Sequence, residues 1–322
     1  MSSSFFSRLL TVRVTGSTND DLRAALSGPD GRVNPAAVDT WPHLSALCAQ
    51  TQTAGRGRAE HTWVTPPHGA LTVSVVLRPV VPAARLDWLP LLAGLAVQRT
   101  LEPRLEGTGW RARTKWPNDV VVLPTEAPAD ASAVDAPGWG LSRKVAGILC
   151  ELIPASERIE NSGAAGPASR RGGLERARAE ASAVVVGIGV NLAQGAAELP
   201  VPWAASLAGL GVDSELTVAR DVLEDLGRHL AELVTSWEDR DGDPDGGDGE
   251  LGRCLRGACS TLGQDVVVTT PAGLVRGRAI DVRPGLVLRD AVGGPAGEGG
   301  AEELVISAGD VASARLGTPT GT

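Results

Sequence analysis

Apolar and polar positions recur along this chain with two periods, and each period predicts a kind of element. Ser17, Thr18, Asn19 and Asp20 precede Leu22, Ala25 and Leu26 at helical spacing, which predicts a helix with a hydroxyl cap that closes at Gly28 to Gly31. Leu44 to Thr51 and Leu71 to Leu77 are short apolar runs that read as strands, with Gly55-Arg56-Gly57-Arg58 in the loop between them. Trp88 to Leu101 has helical periodicity, while Asp119 to Leu123, Val145 to Leu152 (interrupted by Gly147) and Val184 to Val190 read as further strands. Val218 to Trp237 carries Val222, Leu226, Leu230 and Leu233 on one face, the pattern of an amphipathic helix.

Beyond that helix the acidic, glycine-rich stretch Glu238 to Glu250 reads as a solvated loop. The remainder alternates Val266, Val268, Val275, Ile280, Val282, Leu286, Leu288, Leu304 and Ile306 between turn signals, as a small all-β barrel would. Thr125 to Leu141 and Pro154 to Ala181 are rich in Ala, Pro, Gly and Ser and read as mobile insertions, since such segments bury little apolar surface against the entropy of ordering.

Composition narrows the function classes. The 322 residues carry 38 acidic and 30 Lys or Arg side chains, a formal charge of -8 that would not steer the molecule toward a polyanion, so no nucleic-acid partner is expected. No run of about 20 apolar residues occurs, so no membrane partner is expected either, and the chain reads as cytoplasmic. Cys48, Cys150, Cys254 and Cys259 lack metal-site spacing and read as reduced, buried thiols. Tyrosine is absent and phenylalanine occurs twice, so eight tryptophans supply most of the aromatic surface.

Four segments carry candidate chemistry. Gln52-Thr53-Ala54-Gly55-Arg56-Gly57-Arg58, followed by Trp63, Pro66 and Gly69, combines open backbone amides with two guanidinium forks suited to phosphate oxygens. It is not a P-loop, because no Gly-Lys-Ser/Thr follows. Lys115-Trp116-Pro117-Asn118-Asp119 enters a strand; Asn118 and Asp119 offer oxygen ligands, or Asp119 simply caps a turn, and Lys115 reads as a solvated lysine beside Trp116. Arg143-Lys144-Val145-Ala146-Gly147 puts a lysine at the head of a strand whose glycine permits close approach of a ligand. Gly187-Ile188-Gly189-Val190-Asn191-Leu192 lacks the third glycine and the following helix of a dinucleotide fingerprint, so the Rossmann reading is rejected.

In this order, and with Gly16-Ser17-Thr18-Asn19 ahead of them, these segments resemble the catalytic domain of biotin protein ligases over about residues 8–257. Residues 258–316 are similar in pattern to the family's small SH3-like C-terminal domain. The resemblance implies an α+β fold: a mixed, largely antiparallel sheet with packed helices, plus the small β barrel. It implies an enzyme that activates biotin with ATP to biotinyl-5′-AMP, with Mg²⁺, and transfers biotin to one lysine of the biotin carboxyl carrier protein domain of biotin-dependent carboxylases. Some members carry an N-terminal DNA-binding domain; here the Ser17 motif begins almost at once, which implies the monofunctional type.

Residue by residue, the resemblance implies that Ser17, Thr18 and Gln52 bond the ureido head, with Asn19 holding the entry loop. Arg56 and Lys144 meet the carboxylate end, Gly57 and Arg58 belong to the same biotin loop, and Gly147 and Gly189 let the backbone wall lie close. For ATP it implies Arg58 on phosphate, Trp63 against adenine, Asn118 and Asp119 near phosphate, Asp119 on the metal, and Asn191 toward the nucleotide. Lys144, Arg56 and Arg58 are the expected catalytic groups, because joining a carboxylate to a phosphate is chiefly a matter of neutralising and aligning two anions. Read on its own, Trp63 serves equally as core. Ala59, Glu60 and His61 depart from the family's Gly-Arg-Gly-Arg-x-Gly-Arg form, and a carboxylate at Glu60 near a triphosphate predicts a raised ATP requirement.

Overall fold

The computed structural model describes residues 5–58, 61–64, 68–126, 136, 138–156, 170–293 and 301–313. It opens with strand β1 (Arg8–Thr15) and helix α1 (Thr18–Leu26), where Ser17 accepts from the Asp20 amide as N-cap. A single turn α2 (Ala37–Thr40) leads into β2 (Ser45–Gln52), then β3 (Ala70–Leu77) and α3 (Leu89–Leu101). There follow β4 (Trp110–Lys115), β5 (Asp119–Pro124), β6 (Arg143–Ile153), α4 (Arg170–Glu180) and β7 (Ala183–Asn191). Helices α5 (Ala219–Glu238) and α6 (Glu250–Ala258) precede β8 (Asp265–Thr270), β9 (Gly273–Val282), β10 (Leu286–Gly293), β11 (Ala301–Ile306) and β12 (Asp310–Ser313).

Seven strands form one sheet in the order β1-β2-β3-β7-β6-β5-β4, antiparallel except for β1 beside β2. The expected mixed, largely antiparallel α+β architecture is therefore what the chain adopts. Its central strands are buried on both faces, which is why they read as continuous Val and Ile runs rather than alternating ones. Leu22, Leu26, Trp41, Leu47, Val76 and Ile153 pack on the α1 face. On the opposite face α3 and α5 cover Val73, Val75, Ile148 and Val186, α6 packs on α3, and the same cluster runs on into Val268, Leu286 and Leu288 of the second sheet. That sheet has five strands in the order β11-β10-β9-β8-β12.

Several segments differ from their sequence reading. Part of the second insertion is the helix α4; its Arg178 makes paired bonds to Glu238 at 2.6 and 2.9 Å and donates to Arg78 O. Residues 157–169 of that insertion and most of the first, 127–135 and 137, lie outside the described residues. The acidic stretch after α5 is held by arginines rather than free in solvent: Asp243 pairs with Arg85, and Asp245 with Arg256. Strands β1 and β4 escaped the apolar pattern because β1 is an exposed edge and β4 alternates Arg and Lys with small residues. The four cysteines are unpaired, and burial raises the Cys150 thiol to about 12 and Cys48 to about 11. Among the described residues no helix is long and apolar enough to cross a membrane.

Candidate functional site

Motifs far apart in the chain meet because antiparallel pairing aligns them. Thr72 of β3 pairs with Gly189 of β7, Gly189 with Gly147 of β6, Gly147 with Asp119 of β5, and Asp119 with Lys115 of β4. Cross-strand partners share a face, so this row makes a floor with a notch where two glycines stand side by side. The ladder slips once: Val120 pairs with Ala146 but Val121 with Lys144, so Val145 is an inserted residue. Such a bulge re-aims the side chains beyond it. It turns Lys144 onto the face of Gly147 and Asp119, where Lys144 Nζ meets Asp119 Oδ1 at 2.6 Å.

At one end of this floor the start of α1 forms a polar nest. Thr18 donates through its backbone N and Oγ1 to Gln52 Oε1 at 2.8 and 3.0 Å, and Ser74 Oγ lies 2.6 Å from both Thr18 Oγ1 and Asn19 Oδ1. Asn19 Nδ2 donates to Glu151 Oε2 at 2.8 Å. A Cβ on Gly187 would stand 2.4 Å from Asn19 Oδ1, so only glycine admits this arrangement. Ser17, Thr18 and Asn19 are all buried.

Over the floor lies the Gly55–Trp63 loop, closed by Trp63 N to Gly55 O at 2.9 Å and Gly57 N to His61 O at 2.7 Å. Ala59, Glu60 and Pro66 of the sequence reading lie outside the described residues, and His61 is exposed. The Trp63 indole fits the glycine notch: a Cβ on Gly189 would be 2.3 Å from Trp63 Cε2, and one on Gly147 would be 3.2 Å from Cζ3. Trp63 therefore stands against Gly147 and Gly189, and its Nε1 is buried with no partner among the described residues.

Each expected catalytic cation holds a carboxylate. Arg56 pairs with Asp20 and, at 3.1 Å, with Glu151; these contacts push its pKa up, the Asp20 hydrogen bond foremost. Arg58 reaches Asn118 Oδ1 at 3.3 Å, Gly309 O at 3.5 Å and Asp310 at 3.8 Å. Together Ser17, Thr18, Asn19, Gln52, Arg56, Gly57, Arg58, Trp63, Asn118, Asp119, Lys144, Gly147 and Gly189 line one cavity of about 190 Å³. That is below the ~300–1,000 Å³ of pockets that enclose a drug-sized ligand. A second cavity of about 550 Å³ shares Arg58, Asn118 and Ile148 with the first.

Asn191 is not in this lining. It is buried at the end of β7, donating to Ala205 O and accepting from Gln194. Lys115, read as solvated, is instead buried; its ammonium donates to Val311 O at 2.6 Å, and burial lowers its pKa. Glu151, Ser74 and Asp310 were not singled out for the site from sequence. Glu151 stood within the quoted Lys144 segment's strand, and its hub role follows from Arg23, Arg56 and Asn19 all converging on it. Asp310 comes from the second sheet, where no motif marks it.

The chain is similar to known proteins in sequence and in fold. Residues 33–162 match the model of the biotin/lipoate A/B protein ligase family. The chain is 31% identical over 314 residues to the biotin–[acetyl-CoA-carboxylase] ligase of Mycobacterium tuberculosis, covering 96% of this chain and 90% of that one. It is 26% identical over 175 residues to the bifunctional ligase/repressor BirA of Bacillus subtilis, covering 54% of this chain and 41% of that one. The structure of Aquifex aeolicus biotin protein ligase in complex with biotin and ATP superposes with a TM-score of 0.61 at 22% identity, over 96% of this chain and all of that one. An aligned floor of motif residues, a glycine notch under an arginine loop, and a ligase relative matched over nearly its whole length lead to one conclusion: the chain belongs to the biotin protein ligase family.

Proposed function

We propose that this protein is an ATP-dependent, AMP-forming ligase that makes biotinyl-5′-AMP and transfers biotin to one lysine of a biotin carboxyl carrier protein domain. The observation that carries this reading is a single cavity with a polar, donor-and-acceptor end at Thr18, Asn19 and Gln52 and a cationic end at Arg56, Arg58 and Lys144. A neutral ureido ring needs the first, and two anions brought together need the second.

In the first half-reaction a biotin carboxylate oxygen attacks the α-phosphorus of ATP, and pyrophosphate leaves with the bonding electrons. Ser17, Thr18 and Gln52 would hold the ureido head, and Gly147 and Gly189 would give the ring its wall beneath Trp63. Lys144 and Arg56 would exchange their present carboxylates for the reacting anions, and Arg58 with Asn118 would meet phosphate. This re-pairing needs no protein nucleophile. Asn191, though behind the lining, would act on the nucleotide end by fixing the Ala205 loop.

Magnesium, when bound, screens the phosphate charge. It is commonly held by one or two carboxylates plus phosphates, which suits Asp119 as the protein donor. Among the described residues no three metal-ligating side chains gather, so the residues fit an ion carried in with the nucleotide rather than a site made by protein alone.

In the second half-reaction the neutral amine of the carrier lysine attacks the acyl carbon, AMP leaves, and the amine sheds a proton. The Gly55–Trp63 loop would keep water from the mixed anhydride meanwhile. Pyrophosphate release with ATP and either biotin or lipoate tests the reading. Release with biotin alone supports it; release with lipoate alone, or with neither, overturns it.

A further inference from the structure

The first insertion contributes Trp139, which belongs to none of the four motifs. Its indole stacks on Trp203 with ring centroids 5.9 Å apart and planes 10° from parallel. The ammonium of Lys115 lies 3.9 Å from the centroid of the same indole. Lys115 is 8% exposed and donates to Val311 O at 2.6 Å, and among the described residues no carboxylate is in ion-pair range of it. A buried ammonium must have its charge met; here a carbonyl dipole and an aromatic face do so at contact distance, and the Asp119 and Asp310 carboxylates attract it from farther off.

Both ends of this assembly reach the cavity. Beside Val311, Asp310 faces Arg58 at 3.8 Å, and Gly309 O accepts from Arg58 at 3.5 Å. On the other side Trp203 O accepts from Lys144 N at 2.7 Å, and Ala205 N donates to Lys144 O at 2.9 Å. The aromatic pair therefore adjoins the supports of Lys115 and of Lys144 at once.

We infer that Trp139 and Trp203 position the cationic end of the cavity, holding Lys115 by its charge and, through Lys115, holding the Gly309–Val311 edge of the second sheet against Arg58. Lys115 is on this account a positioning residue that touches neither substrate. The inference rests on the reading of the cavity as a biotin and ATP site. Its rival is plain packing, in which Trp139 fills space and any apolar side chain of similar bulk serves.

The two are separated by comparing W139F, which keeps an aromatic face, with W139L, which keeps bulk without one, alongside K115M. Steady-state pyrophosphate release gives KM for ATP and for biotin, and amide hydrogen exchange of the full chain reports on residues 309–313. W139L and K115M should raise KM for ATP by roughly 5-fold or more, leave KM for biotin within about 2-fold, and speed exchange at 309–313 by about 10-fold. W139F should stay close to the parent in all three. Equal behaviour of W139L and W139F, unchanged exchange in K115M, or parallel rises in both KM values would overturn the inference. A parent protein that releases no pyrophosphate with biotin would sink the functional reading instead, and the exchange comparison would still decide the positioning role.

Discussion

Replacing Gly189 by alanine is the sharpest test of how the cavity is built. The new Cβ would lie 2.3 Å from Trp63 Cε2, 2.4 Å from Cζ2 and 2.7 Å from Nε1. Carbon pairs settle at ~3.5–4.0 Å, so the indole must retreat by more than ~1 Å. It cannot retreat alone, because Trp63 N is bonded to Gly55 O at 2.9 Å and a Cβ on Gly55 would already be 2.3 Å from Trp63 O. The loop must shift as a unit. Overpacking of this kind costs about 1–3 kcal/mol, and if that falls on the closed, ligand-holding loop it weakens biotin binding by roughly 5- to 150-fold. Gly147→Ala meets Trp63 Cζ3 at 3.2 Å, which asks the indole for only a few tenths of an ångström, and the Lys144 chain end at 3.3 Å, which is flexible enough to move aside. Calorimetric titration with biotin, with urea unfolding run in parallel, should therefore rank Gly189→Ala well below Gly147→Ala. A Gly189→Ala protein that binds biotin as tightly as the parent and unfolds at the same urea concentration would refute the notch.

Lys144→Ala removes the one lysine the β6 bulge aims at Asp119, and single-turnover formation of biotinyl-5′-AMP should slow by roughly 10- to 150-fold, the worth of one charge-assisted hydrogen bond. A slowing of less than about 3-fold would contradict its role. Glu151→Gln keeps an acceptor for Asn19 but takes the charge from Arg23 and Arg56; urea unfolding should show a loss of about 1–3 kcal/mol, with Glu151→Ala losing more. His43 is pushed down from 6.5 to about 3, first by burial and then by Arg178 and Arg78, so the folded protein keeps it neutral where the unfolded chain protonates it. Its contribution is complete above pH 6.5 and is lost as pH falls toward 3, with a slope near ~1.4 kcal/mol per pH unit inside that window. His43→Gln should flatten this part of the stability profile measured by denaturant titration at several pH values, and an unchanged slope would remove His43 as its source.

The inner strands β2, β3, β5, β6 and β7 and the helices α1, α3 and α5 are legible because their apolar positions are regular and bounded by turn residues, whereas the two edge strands β1 and β4 are not. Legibility failed where structure depends on partners distant in sequence. The alignment of Thr72, Gly189, Gly147, Asp119 and Lys115 in one row is a property of register, which no single strand states. The orientation of Lys144 depends on an inserted residue in β6, and strict alternation would have turned it to the opposite face. Lys115 read as a surface lysine because its supports, Trp139 and Val311, come from an insertion and from the far end of the chain. The place of Trp63 over Gly147 and Gly189 follows from the closure of its loop, which no residue of the motif states by itself. The arginine loop advertised positive charge, but its carboxylate partners Asp20, Glu151 and Asp310 sit on three other elements and were invisible as partners until the chain was folded.

The central claim is that this one cavity joins biotin to ATP and hands the acyl group to a protein lysine. Intact-protein mass spectrometry of a carboxylase carrier domain, incubated with the enzyme, biotin and MgATP, addresses it without intermediaries. The account predicts that the carrier gains one biotinyl group on one lysine, and that omitting ATP or using Lys144→Ala enzyme leaves most of it unmodified. A carrier whose mass stays unchanged with the intact enzyme, or rises equally without ATP, would contradict it.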